Sequence, residues 1–120
     1  MDLGGQDKRR FPRSVFPCRV EIGSPVRLLI SHTENIGEGG LRVILEEKLN
    51  RDTVVGLQLF LEKGKPIKCT GRVAWVLEKV NPVERQPLMF DTGIEFTAIN
   101  DCDREYIKKI VDIILSQDKK

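Results

Sequence analysis

The chain is poor in the residues that build reactive centres. It has one histidine, His32, and three cysteines, Cys18, Cys69 and Cys102, in 120 residues. No CxxC spacing occurs and the cysteine count is odd, which argues against a zinc site and for thiols that stay reduced. Aromatic side chains make up 6% of the sequence, with a single tryptophan. Proteins that grip single-stranded nucleic acid line a basic groove with aromatics; the few present here fall mainly on core faces, which counts against that class. No apolar run approaches the ~18 residues needed to cross a bilayer. The opening residues, Met1 to Asp7, carry no apolar h-region, so no signal peptide is expected. Net charge is only +2, too weak a field to imply whole-protein affinity for nucleic acid. No nucleophile–base pair, metal cluster or phosphate-binding P-loop stands out. The expectation is a cytoplasmic protein that is not an enzyme, with no metal, no cofactor, no nucleic-acid partner and no membrane insertion.

What is present is an ordinary globular balance, 40% hydrophobic and 32% charged, in one domain's worth of chain. The basic character is local: Lys8, Arg9, Arg10, Arg13 and Arg19 crowd one end. Residues 1–8 read as a flexible N-terminal arm and 9–117 as a single domain. Phe16 to Ile22 reads as a first strand. Val26, Leu28 and Ile30 alternate with Arg27, Leu29 and Ser31 in a second, running toward Asn35. Gly37, Gly39 and Gly40 break it, and Leu41, Val43 and Leu45 continue in a third. Val55, Leu57, Leu59 and Leu61 form a fourth. The cleanest alternation is Ile67, Cys69, Gly71, Val73, Trp75 and Leu77, which puts Trp75 on the apolar, core side. Ile94, Phe96 and Ala98 make the last strand. The period then changes to that of a helix: Ile107, Ile110, Val111, Ile114 and Leu115 share one stripe, with Asn100 as the expected N-cap. Tyr106 and Ile113 widen the stripe and leave room for a homodimer contact. About six antiparallel strands, each with one apolar face, close most economically into a small barrel with the helix packed on it.

Two short segments carry the functional signal. Arg9-Arg10-Phe11-Pro12-Arg13 concentrates guanidinium groups on a stretch too polar to be core. Asn35-Ile36-Gly37-Glu38-Gly39-Gly40 is a polar, glycine-rich corner where backbone can approach a ligand. The pair suits a flat, doubly phosphorylated, purine-bearing molecule. With an RxxxR spacing before the first strand and a (D/N)xSxxG-like spacing at the turn between the second and third strands, the chain resembles a PilZ domain over nearly its whole length. Arg9 and Arg13 fill the first motif; Asn35 and Gly40 fill the ends of the second. Gly71 to Trp75 and Gly93 to Phe96 resemble late strands of that family.

The resemblance implies a mainly β fold, a six-stranded antiparallel barrel with a C-terminal helix. It also implies a bacterial receptor for cyclic di-GMP, with Arg9, Arg10, Arg13, Asn35, Gly37, Gly39 and Gly40 as the ligand-binding residues. The chemistry suits them. An arginine fork matches phosphate oxygens, matches guanine O6 and N7, and stacks on a purine. An Asn both donates and accepts at a base edge, and glycines let the backbone turn and come close. One position departs: the family's serine is Gly37 here. Losing a neutral hydrogen bond costs about 0.5–1.5 kcal/mol, up to roughly tenfold in affinity. With no output domain expected in these residues, the signal would pass to an unidentified protein partner in motility, exopolysaccharide or pilus machinery. The alternative is a PilZ-like adaptor that binds no nucleotide and acts through protein contacts alone.

Overall fold

Alternating side chains lie on opposite sides of a strand, so each apolar alternation in this chain has one face to hide. Among the described residues the chain forms seven strands and one helix. They are β1 (Arg13–Ser14), β2 (Arg19–Gly23), β3 (Leu28–Gly37), β4 (Gly40–Leu45), β5 (Val54–Phe60), β6 (Ile67–Lys79), β7 (Met89–Ala98) and α1 (Asp101–Asp118). The computed structural model describes residues 13–14, 17–61, 65–80 and 89–118. All pairings are antiparallel, in the order β3-β2-β5-β6-β7-β4, and a further β3–β4 pairing closes the ring. The fold is thus the expected six-stranded barrel with a C-terminal helix. The short β1 is an addition. It pairs with the far half of β3, Arg13 opposite Gly37 and Ser14 opposite Ile36, while β2 takes the near half, from Leu28 to His32.

The barrel interior is filled by Val20, Ile22, Ile36, Leu41, Val43, Leu57, Leu59, Val73 and Ile94, all nearly inaccessible to solvent. The helix adds Ile107 and Val111 to this core, with Tyr106 and Leu115 packed beside them. Ile113 stays exposed. The Asn100 cap forms as expected: the Cys102 amide donates to Asn100 Oδ1 at 2.7 Å. Removing such a cap costs about 0.5–2 kcal/mol. Asn100→Ala should lower unfolding free energy by that amount in a urea titration; a change below ~0.3 kcal/mol would show that tertiary packing alone holds the helix start.

Three expectations shift. The strand expected over Phe16 to Ile22 is β2, which begins at Arg19, and Phe16 itself lies outside the described residues. In β3 the phase is opposite to the expected one. Val20 and Ile22 of β2, both fully buried, are paired with Ser31 and Leu29, so it is Leu29 that turns toward the core. Leu28 and Ile30 stand outside, each 57% exposed. The third correction is Trp75. A bulge between Val73 and Trp75 inserts an extra residue into β6, and one extra residue sends every later side chain to the other face. Val73 is fully buried, Leu77 is exposed, and Trp75 is half-buried on the outer surface. A second bulge lies in β3 between Thr33 and Asn35. Thr33 points in, with its hydroxyl accepting the Cys18 amide at 3.0 Å. Past the bulge Ile36 points in, and Asn35 is left partly accessible.

Burial pushes the Cys18 thiol up and the Cys69 thiol up to about 12. A raised pKa disfavours the reactive thiolate in both.

Candidate functional site

Residues directly opposite one another in neighbouring strands share a face of the sheet. Two such rows cross the outside of the barrel side by side. In the first, Gly37 of β3 is opposite Gly40 of β4, Gly40 opposite Glu95 of β7, and Glu95 opposite Arg72 of β6. The backbone of Arg13 joins this row at its β3 end. In the second, Asn35 is opposite Arg42, Arg42 opposite Gly93, and Gly93 opposite Trp75. The two bulges put Asn35 and Trp75 in that row.

Glu38 and Gly39 make the two-residue turn between β3 and β4. The turn is tied down from the side, because the Phe96 amide of β7 donates to the Gly39 carbonyl at 2.9 Å. Gly37 and Gly40 are buried and Gly39 is partly buried. Among the expected ligand residues, the structure therefore brings together Asn35, Gly37, Gly39, Gly40 and the backbone of Arg13. Arg9 and Arg10 lie outside the described residues. His32 is exposed.

Three further residues complete the second row, none of them assigned to the site by sequence. The Trp75 ring lies on Gly93: a Cβ there would sit 2.2 Å from Trp75 Cε2 and Nε1. An aromatic laid across a strand glycine shields the bare backbone. Arg42 grips Asp91 with both ends of one guanidinium edge, Nε to Oδ1 at 2.7 Å and Nη2 to Oδ2 at 2.8 Å. Lys79 Nζ adds a longer ion pair to Asp91 Oδ2 at 3.6 Å. Arg72 is held by Asp52 at 3.0 Å and by Glu95, but these exposed pairs contribute little. The Arg42 pair differs because the Asp91 side chain is only 7% exposed. A cue for Trp75 existed in the Gly71–Trp75 and Gly93–Phe96 stretches. Their register could not be read without the bulge.

The Arg42 hydrogen bonds hold the Asp91 carboxyl below its usual value, with burial opposing and the charges of Arg42 and Lys79 assisting. A carboxyl with a depressed folded pKa stabilises the fold above its unfolded pKa of ~3.9, and that contribution is lost as pH falls through the folded value. Stability from this pair should thus be level from pH ~5 to ~8 and fall below pH ~4. In Asp91→Asn the acid-side loss should be smaller. Denaturation series at stepped pH measure it; equal acid-side slopes in the two proteins would rule the pair out as the cause.

The sequence matches the PilZ domain family over residues 7–112. The chain belongs to the PilZ domain family. No curated protein matches the sequence. Among solved structures, the chain is similar to the Bacillus subtilis inhibitor of motility MotI/DgrA, at 17% identity and a TM-score of 0.79, covering 95% of this chain and 54% of that one. It is similar to the PilZ domain of Escherichia coli YcgR, solved with cyclic di-GMP, at 11% identity and a TM-score of 0.69, over 94% of this chain and 95% of that one. It is also similar to the K. pneumonia MrkH–cyclic di-GMP complex, at 22% identity and a TM-score of 0.70, over 95% and 56%. This PilZ chain spans about half the length of MotI and MrkH. At these identities the likeness is one of fold. Among the described residues no cluster of His, Cys, Asp and Glu could hold a metal ion, and no helix is long and apolar enough to cross a membrane. A concavity of about 860 Å³ between the start of β6 and the first turn of α1, lined by Lys65, Lys68, Asn100 and Tyr106, includes none of the expected ligand residues.

Proposed function

We propose that this PilZ domain is a cytoplasmic receptor for cyclic di-GMP that passes its signal to a partner protein. The observation that carries the reading is the β1–β3 pairing. It places the backbone of Arg13, the second arginine of RxxxR, directly opposite Gly37 in the glycine corner. The last residue of the first motif thus meets the second motif on one strand pair of the barrel. Family membership and the two neighbours solved with cyclic di-GMP support the same ligand.

In this reading Arg9 and Arg13 hold phosphate and guanine, and Arg10 stacks or takes the second phosphate. Asn35 meets a base edge, and Gly37, Gly39 and Gly40 admit the ligand to the backbone. The Trp75 ring, lying on Gly93, offers a platform for a purine, where base–aromatic stacking is worth ~1–3 kcal/mol. Ligand binding orders the Arg-rich arm that precedes Arg13 against the barrel, and this ordering is the signal, at a cost in chain entropy. The partner belongs to motility, exopolysaccharide or pilus machinery; one fold neighbour is an inhibitor of motility.

Titration calorimetry with cyclic di-GMP is expected to give a saturable isotherm. Backbone NMR should show residues 5 to 15 gaining order on saturation; unchanged order there would sink the arm mechanism while leaving the receptor. A second reading is favoured by Gly37, which lacks the family's serine hydroxyl: an adaptor that binds no nucleotide. Absence of heat at high micromolar ligand would select it.

A further inference from the structure

We infer that Arg42 is a specificity-determining residue that reads the O6/N7 edge of a guanine, and that Asp91 is the positioning residue that aims it. The inference rests on the receptor reading above and assigns a role to two residues that neither motif contains.

The geometry is that of a fork held by one edge. A guanidinium has two usable edges, one made by Nε and one Nη, the other by the two Nη groups. Asp91 occupies the first through bonds of 2.7 and 2.8 Å. The second edge is not used by Asp91, and the Arg42 side chain remains 31% exposed. Asp91 is itself nearly buried and also held by Lys79, so the fork cannot rotate without breaking a charge-assisted, bidentate bond. An arginine fixed in this way loses little rotamer freedom when it binds, which is what preorganisation requires.

Location decides what the second edge meets. Arg42 shares its row with Asn35 on one side and with Gly93 and Trp75 on the other. Adjacent strands lie ~4.8 Å apart, so Arg42 stands roughly 10 Å from the strand position of Trp75, with only the side-chain-free Gly93 between. A purine stacked on the indole presents an edge toward that fork. Guanine offers two acceptors there, O6 and N7; adenine replaces O6 with an amine donor, which would face the guanidinium's own donors. The arrangement selects guanine and opposes adenine through the same atoms.

The test uses cyclic di-GMP and its 7-deazaguanine analogue, which lacks the N7 acceptor, titrated into the full chain at fixed salt. Wild type should bind the analogue more weakly, on the order of tenfold. Arg42→Met should bind cyclic di-GMP more weakly and show a reduced penalty for the analogue, because the partner of N7 is gone. Asp91→Asn should weaken cyclic di-GMP binding in the wild-type background and add nothing in Arg42→Met, a coupling that a merely structural role would not produce. Melting temperatures without ligand check that each variant is folded. If Arg42→Met binds too weakly to measure, Arg42→Lys is read in its place; it keeps the charge, loses the fork, and should show the same reduced penalty. An unchanged penalty in the Arg42 variants overturns the inference while wild-type binding upholds the receptor. Additive Asp91 and Arg42 effects remove the positioning role. No uptake by wild type overturns receptor and inference together.

Discussion

Arg13→Ala should weaken cyclic di-GMP binding by on the order of a hundredfold. A hydrogen bond to a charged group contributes about 1.5–3 kcal/mol, and a bidentate arginine–phosphate contact lies toward the upper end; 3 kcal/mol is slightly more than two decades in affinity. The effect is large because of where the chain is held. Arg13 and Ser14 are paired through their backbones with Gly37 and Ile36, so the chain at Arg13 is anchored beside the glycine corner. Those backbone pairs do not depend on the side chain, and melting without ligand should change little. Arg13→Lys keeps a point charge and loses the planar fork, and should fall between alanine and wild type. Calorimetry at constant salt reads all three proteins, since phosphate contacts are salt-sensitive. A loss below about threefold in Arg13→Ala would remove this residue from the site, because that is less than the ~0.7 kcal/mol of a single weak neutral bond.

Gly93→Ala should dislodge Trp75. The new Cβ would lie 2.2 Å from the ring atoms Cε2 and Nε1 and 2.7 Å from Cζ2, so the indole must leave its place or β7 must shift. Overpacking of this kind costs about 1–3 kcal/mol, a fall of several degrees in melting temperature for a domain of this size. In the proposed receptor the ring is also the stacking platform, and its departure should reduce cyclic di-GMP affinity by roughly tenfold or more. The chain holds one tryptophan, so its fluorescence reports directly on the ring. Emission should move to longer wavelength in the variant as the indole becomes more hydrated. Unchanged emission with unchanged melting would show that the ring does not rest on Gly93.

The fold was largely legible because barrel strands and a packed helix are written in short-range patterns. The alternation of Val55, Leu57 and Leu59, the glycines closing the β3–β4 turn, and Asn100 ahead of the helix each act over a few residues. The family likeness came from two spacings of that same local kind, in the segments containing Arg13 and Asn35 to Gly40. Errors fell where the pattern was correct but its phase was not. Leu28 and Ile30 alternate as a strand should, yet β2 sets the register and turns Leu29 inward instead. Trp75 continues an alternation that began inward at Ile67, and the bulge after Val73 reverses it. The missing partners were long-range: Arg42 and Asp91 lie 49 residues apart, and nothing near either one announces the other.

Local chemistry, then, was enough to specify strands, turns, a capped helix and two motifs, since backbone preferences and apolar periodicity act between near neighbours. Ring closure was needed to choose the outward face for Asn35 and Trp75, to lay an indole on Gly93, and to bind Arg42 to Asp91. One inserted residue scarcely alters composition or periodicity, yet it inverts every side chain that follows. Which residues then meet is a property of all six paired strands at once.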